Sequence, residues 1–108
     1  MTVQTIIDAD LFITINSGDS GRTISGLFCC DLLSIAMSKA PANCAWVTVM
    51  GNINTLAVAS LADVSCIILA EGVNFDDASI KKAKEHEISI FTTTLPIFDA
   101  SLKVHELV

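Results

Sequence analysis

The chain has 108 residues, 52% of them hydrophobic, with twelve acidic against six basic residues and a net charge of −6. That length fits one domain, residues 1–108, around a single core. The acid excess excludes a nucleic-acid partner, which needs a basic surface to displace counterions, and excludes an anionic membrane surface for the same reason. A nucleotide stays open, because backbone N–H groups hold phosphate without net positive charge. A mean hydropathy of +0.63 exceeds what so small an interior needs, so part of the apolar surplus is expected to face a second copy of the chain. The N-terminus has no Lys or Arg and places Asp8 and Asp10 where a leader would be apolar. The richest apolar stretch, Leu56 to Ala70, is broken by Ser60, Asp63 and Ser65. A cytoplasmic chain is the expectation.

Residues Thr2 to Asp8 predict a short helix capped by Thr2, with Val3, Ile6 and Ile7 at helical spacing. Leu11 to Asn16 reads as a strand, Ser17 to Gly21 as a turn, and Thr23 to Leu27 as a second strand. A helix follows from Cys30 to Lys39 and stops before Pro41. It carries two apolar stripes, Phe28, Leu32, Ile35 and Ala36 on one side and Leu33, Met37 and Ala40 on the other. Such a helix lies deep in the core or is shared between core and partner.

From Asn43 onward the pattern repeats. Strand Ala45–Met50 leads to helix Asn54–Ala62, strand Cys66–Leu69 to helix Asp76–Glu87, and strand Ile88–Phe91 to helix Pro96–Leu107. Short apolar strands alternating with helices predict parallel strands joined by right-handed crossovers, and the N-terminal strands should share that sheet. Asp76 and Asp77 suit a helix start, and Pro96 suits a first helical position.

Ligands of parallel sheets bind beyond the carboxyl ends of the strands. Three loops should gather there: Gly51-Asn52-Ile53-Asn54, Glu71-Gly72-Val73-Asn74 and Thr92-Thr93-Thr94. The ligand-binding set is therefore Gly51, Asn52, Asn54, Glu71, Gly72, Asn74, Thr92, Thr93 and Thr94. These residues can hydrogen-bond a base, a ribose or a phosphate. The same residues also serve as plain turn formers, since Gly and Asn tolerate positive φ and Thr caps helices. There is neither a dinucleotide fingerprint nor a P-loop with its Lys, so nothing would stabilise a transferring phosphoryl group. Glu71 reads as a solvated loop acid or as the holder of a ribose hydroxyl.

His86 and His105 sit on charged helix ends, and the serines have no base partner, so no catalytic residue is assigned. Lys81, Lys82 and Lys84 form a charged helix face, with Asp77 and Glu85 four residues from Lys81. Trp46 belongs in the core or an interface. Cys29, Cys30, Cys44 and Cys66 have no C-x-x-C spacing and no nearby His, which favours buried free thiols over a metal site; no cofactor is expected.

Cys30-Asp31-Leu32-Leu33-Ser34, Trp46-Val47-Thr48-Val49, Asn54 with Ala57-Val58-Ala59-Ser60-Leu61, and Cys66-Ile67-Ile68-Leu69 together resemble the DRTGG-domain family over about Ile6 to Val108. The likeness is to its stand-alone members, some of them placed beside iron-only hydrogenase components. The family's Asp-Arg position reads Asn52-Ile53 here, and of its Thr-Gly-Gly only Gly72 remains. The resemblance implies a three-layer α/β/α fold similar to the N-terminal domain of HPr kinase, with a mostly parallel sheet. It also implies a homodimeric, non-catalytic module. Two functions follow as expectations: a regulatory or ligand-sensing module binding an adenine nucleotide at the strand ends, or a protein-interaction subunit of a redox enzyme.

Overall fold

Apolar runs of four or five residues are too short to make useful helices, and they become strands. The longer stretches at helical spacing become the connections between them. The computed structural model describes residues 1–107. In chain order these form α1 (Val3–Ala9), β1 (Ile13–Asn16), β2 (Gly26–Cys29), α2 (Leu33–Lys39), β3 (Cys44–Thr48), α3 (Ile53–Ala62), β4 (Cys66–Leu69), α4 (Asp77–Glu85), β5 (Ser89–Thr92) and α5 (Ile97–His105). Val108, the last residue of the expected domain, lies outside the described residues.

One five-stranded sheet runs β1-β5-β4-β3-β2. Strands β2 to β5 are parallel, and β1 pairs antiparallel with β5 through a bulge between Thr14 and Asn16. The fold is thus the expected α/β sandwich with a mostly parallel sheet shared by both halves of the chain. Successive strands step in one direction, so crossovers of one hand lay α2, α3 and α4 on the same face. There Trp46, Ile67, Leu69 and Ile90 pack against Ala36, Leu56, Ala59 and Ala83. The opposite face carries α1 and α5, with Val47, Ile68 and Phe91 against Val3, Ile6, Ala100 and Val104. Strands β3, β4 and β5 are buried along their whole length, as strands covered on both faces must be.

The element boundaries shift in ways that have local causes. Cys30 to Leu32 stays outside α2, because the Asp31 carboxylate is taken by the Thr48 hydroxyl at 3.0 Å and the Val49 amide at 3.1 Å. Thr23 makes only an isolated bridge to Thr2, and β2 begins at Gly26. Thr92 closes β5 rather than opening the loop, and Pro96 is the N-cap of α5 rather than its first turn. The turn at Gly18 has φ 55, and a Cβ there would sit 2.6 Å from the Glu87 carbonyl and 2.7 Å from the Ser89 amide. Only glycine lets this turn lie against the entry to β5.

Candidate functional site

At the carboxyl ends of the strands the loops do meet, and they bind mainly one another. The Glu71 and Gly72 amides donate to the carbonyls of Leu95 and Thr93, each at 2.9 Å, and the Thr93 amide donates to Leu69 at 2.9 Å. The Thr93 hydroxyl accepts from the Leu95 amide at 3.2 Å. A Cβ on Gly51 would fall 2.8 Å from both the Asn74 carbonyl oxygen and Val73 Cγ1, so the first loop touches the second through its glycine. The Asn52 side chain caps α3, accepting from the amides of Asn54 at 2.9 Å and Thr55 at 3.3 Å. Two of the N–H groups that would cradle an anion at this helix start, those of Asn54 and Thr55, are filled from within.

Two shallow depressions remain at this rim. One, about 130 Å³, brings Gly72, Asn74, Thr92, Thr93 and Thr94 to Ile13. The other, about 290 Å³, joins the same threonines to the segment from Asp10 to Ile13. That segment was not among the expected site residues. It arrives because β1 is antiparallel, which carries its first residue to the end where the parallel strands finish. Asp10 supplies a carboxylate, and neither depression has a cationic side chain on its lining. Glu71 is exposed in a left-handed conformation with φ 61. Because the strands from β2 to β5 never reverse their order, the sheet also lacks the crevice that opens at a switch point.

The larger cavity lies on the helical face. α3 packs closely against α2 and stands apart from α4, leaving a groove of about 420 Å³. Leu56 and Ile88 form its floor, Ile53, Ala57 and Leu61 one wall, and Lys82 with His86 the other; Asn54 and Ser60 add polar edges. Ile53, Ala57 and Leu61 recur at every fourth residue along the outside of α3, and Leu61 is 73% exposed. Of the expected site residues only Asn54 reaches this groove. The sequence signal was the all-round apolar character of α3, which leaves an outer stripe without a partner in its own chain. Lys81, Lys82 and Lys84 were expected to form a solvated charged face, with Asp77 and Glu85 four residues from Lys81. Among the described residues the one ion pair joins Arg22 to Asp63 at 3.1 Å, so Lys82 reaches the groove unpaired.

Most remaining reactive groups are held in structural roles, but of the four thiols expected to be buried Cys29 is exposed, 3.1 Å from the Ser101 hydroxyl, and Cys30 is only half-buried. Arg22 spends its guanidinium on the carbonyls of Val64 and Asp63 and on Asn43 Oδ1. Cys44 and Cys66 are free and buried. Their neighbours in the strand register place them on opposite faces of the sheet. Burial pushes the Cys44 thiol up to about 11, and burial together with nearby Cys44 pushes Cys66 higher still. Both therefore stay protonated and unreactive at neutral pH. Trp46 is fully buried, donating its indole N–H to the Cys30 carbonyl at 3.1 Å. Among the described residues no group of three or more His, Cys, Asp or Glu side chains is placed to hold a metal ion. No helix there is long and apolar enough to cross a membrane. No protein-family model matches the chain, and no curated protein matches it.

Proposed function

We propose that the chain is a non-catalytic regulatory module of the DRTGG type that senses a small molecule, an adenine nucleotide being the first candidate. The observation that carries this reading is the groove between α3 and α4. Its volume of about 420 Å³ falls within the range of small-molecule sites, and its lining is apolar with a few polar groups at the margin. The Ile53, Ala57 and Leu61 wall and the Ile88 floor offer apolar surface to a purine ring, and Asn54 and Ser60 offer hydrogen-bonding groups beside it. Lys82 and His86 face the same space and favour a phosphate there. The rim is the weaker host, because its amides are already bonded and its nearest charge is Asp10.

Thermal melts of the full chain with adenosine, AMP and ATP test the reading. A binding ligand stabilises the fold by about 2.7 kcal/mol at a hundredfold excess over Kd. Melting curves that stay fixed across the panel contradict it. The exposed Leu61 side chain favours a second reading, a protein-interaction subunit whose partner covers the α3 stripe. In that case the melts are flat, and the chain co-purifies from its host with a partner that Leu61→Asp releases.

A further inference from the structure

We infer that the groove seats the ribose of its nucleotide in a second, polar pocket, and so selects a ribonucleotide with free 2′ and 3′ hydroxyls over its deoxy and 3′-phosphorylated forms. The inference rests on the nucleotide reading above and adds the part of the ligand that decides specificity. A pocket of about 150 Å³ adjoins the groove and shares Ser60, His86 and Ile88 with it, so the two make one continuous space. Arg22, Asp63, Ser65 and Glu87 complete its polar lining.

Chain topology builds this pocket from two helix ends. α3 and α4 lie on the same face of the sheet, and each finishes just before the next strand begins. Asp63 is the C-cap of α3 and His86 that of α4, with Glu87 next in the chain. Asp63 and Glu87 leave their helices at φ 58 and 56, and both line the pocket. Helix carboxyl ends carry partial negative charge, which opposes an anion and favours a hydrogen-bond donor.

The side chains give the pocket the same polarity. Its arginine is spent: Arg22 Nη1 donates to the Val64 carbonyl at 3.0 Å, and Nη2 to the Asp63 carbonyl at 2.9 Å and to Asn43 Oδ1 at 2.8 Å. The Ser65 hydroxyl donates to the Thr23 carbonyl at 2.6 Å. Among the described residues Glu87 forms no ion pair, and Asp63 forms only the one with Arg22. The pocket therefore offers carboxylate acceptors, which take the O–H groups of a sugar and repel a phosphate. Lys82, one turn before His86, lines the groove and not this pocket. A cation at one end and acceptors at the other match a 5′-phosphate and a ribose. An ammonium ligand would share the space with Lys82.

Calorimetric titrations of the full chain with AMP, 2′-deoxy-AMP and adenosine 3′,5′-bisphosphate test this. AMP should bind about tenfold tighter than either of the others. Glu87→Gln, at an exposed position, should weaken AMP by about tenfold and leave 2′-deoxy-AMP unchanged. Glu85→Gln removes the same charge from α4 outside the pocket and should leave the AMP preference intact. Equal binding of AMP and 2′-deoxy-AMP, or a bisphosphate bound more tightly than AMP, overturns the inference while the groove reading stands. A preference that survives both Glu87→Gln and Asp63→Asn overturns it in the same way. No binding by any of the three overturns the groove reading and this inference together.

Discussion

The strand-end rim and the α3–α4 groove are neighbours, both reached from the first turn of α3, yet they are finished differently. At the rim, backbone amides from three loops are paired with carbonyls, hydroxyls and the Asn52 cap, and the remaining depressions are shallow. In the groove, large apolar side chains stand unsealed beside an unpaired lysine. A region that has satisfied its own hydrogen bonds gains little from a polar ligand, whereas exposed apolar surface gains from any body that covers it. The residue types associated with binding are concentrated in the region that has least need of a ligand.

Variants in the two regions sharpen this contrast. The largest effect is expected for Gly51→Val, whose side chain would push the first loop off Val73 and Asn74; urea unfolding should show a loss of about 1–3 kcal/mol, and an unchanged midpoint would mean that the loops are not in contact. Leu61→Asp should do the reverse. At 73% exposure its stability stays within about 0.5 kcal/mol of wild type, while AMP affinity by calorimetry falls at least about tenfold. Asn52→Ala removes the cap on two α3 amides and should cost about 1 kcal/mol in chemical denaturation. Glu71→Gly relieves a left-handed residue and should stabilise by somewhat under about 1 kcal/mol; a destabilised variant would assign the Glu71 carboxylate a contact.

The smallest effect is at Asp76. Hydrogen bonds from Ser79, chiefly its hydroxyl and then its amide, hold this carboxyl below its ordinary value. A depressed value means that the stabilisation is present above the ordinary carboxylate range and is lost as pH falls through the folded-state value. Melts of Asp76→Asn should therefore lie below wild type at neutral pH and converge with it in acid.

Much of the fold was legible because its signals are local. Cys66–Leu69 is a bare apolar run between turn residues, and it is β4 as expected. The Asp76 cap is likewise where the carboxylate fixed it, accepting from the Ser79 amide at 2.8 Å. The site was less legible because it depends on what residues do to each other across the sheet. Nothing near Asn52 in sequence says whether its side chain will fill the α3 amides or leave them to a ligand; the geometry of that one turn decides. Asp10 to Ile13 reaches the rim only through the antiparallel pairing of β1, a choice made seventy-odd residues away at β5. Lys82 and His86 read as a solvated face because helical spacing reports neighbours on α4 and not the gap beside α3.

The most direct test of where a ligand sits is an amide NMR titration of the full chain with AMP. The account predicts shifts along α3 from Ile53 to Leu61 and on the facing side from Lys82 to Ile88, with the rim unmoved. Shifts confined to Asp10–Ile13, Glu71–Asn74 and Thr92–Thr94 would contradict it, and so would a spectrum that does not respond.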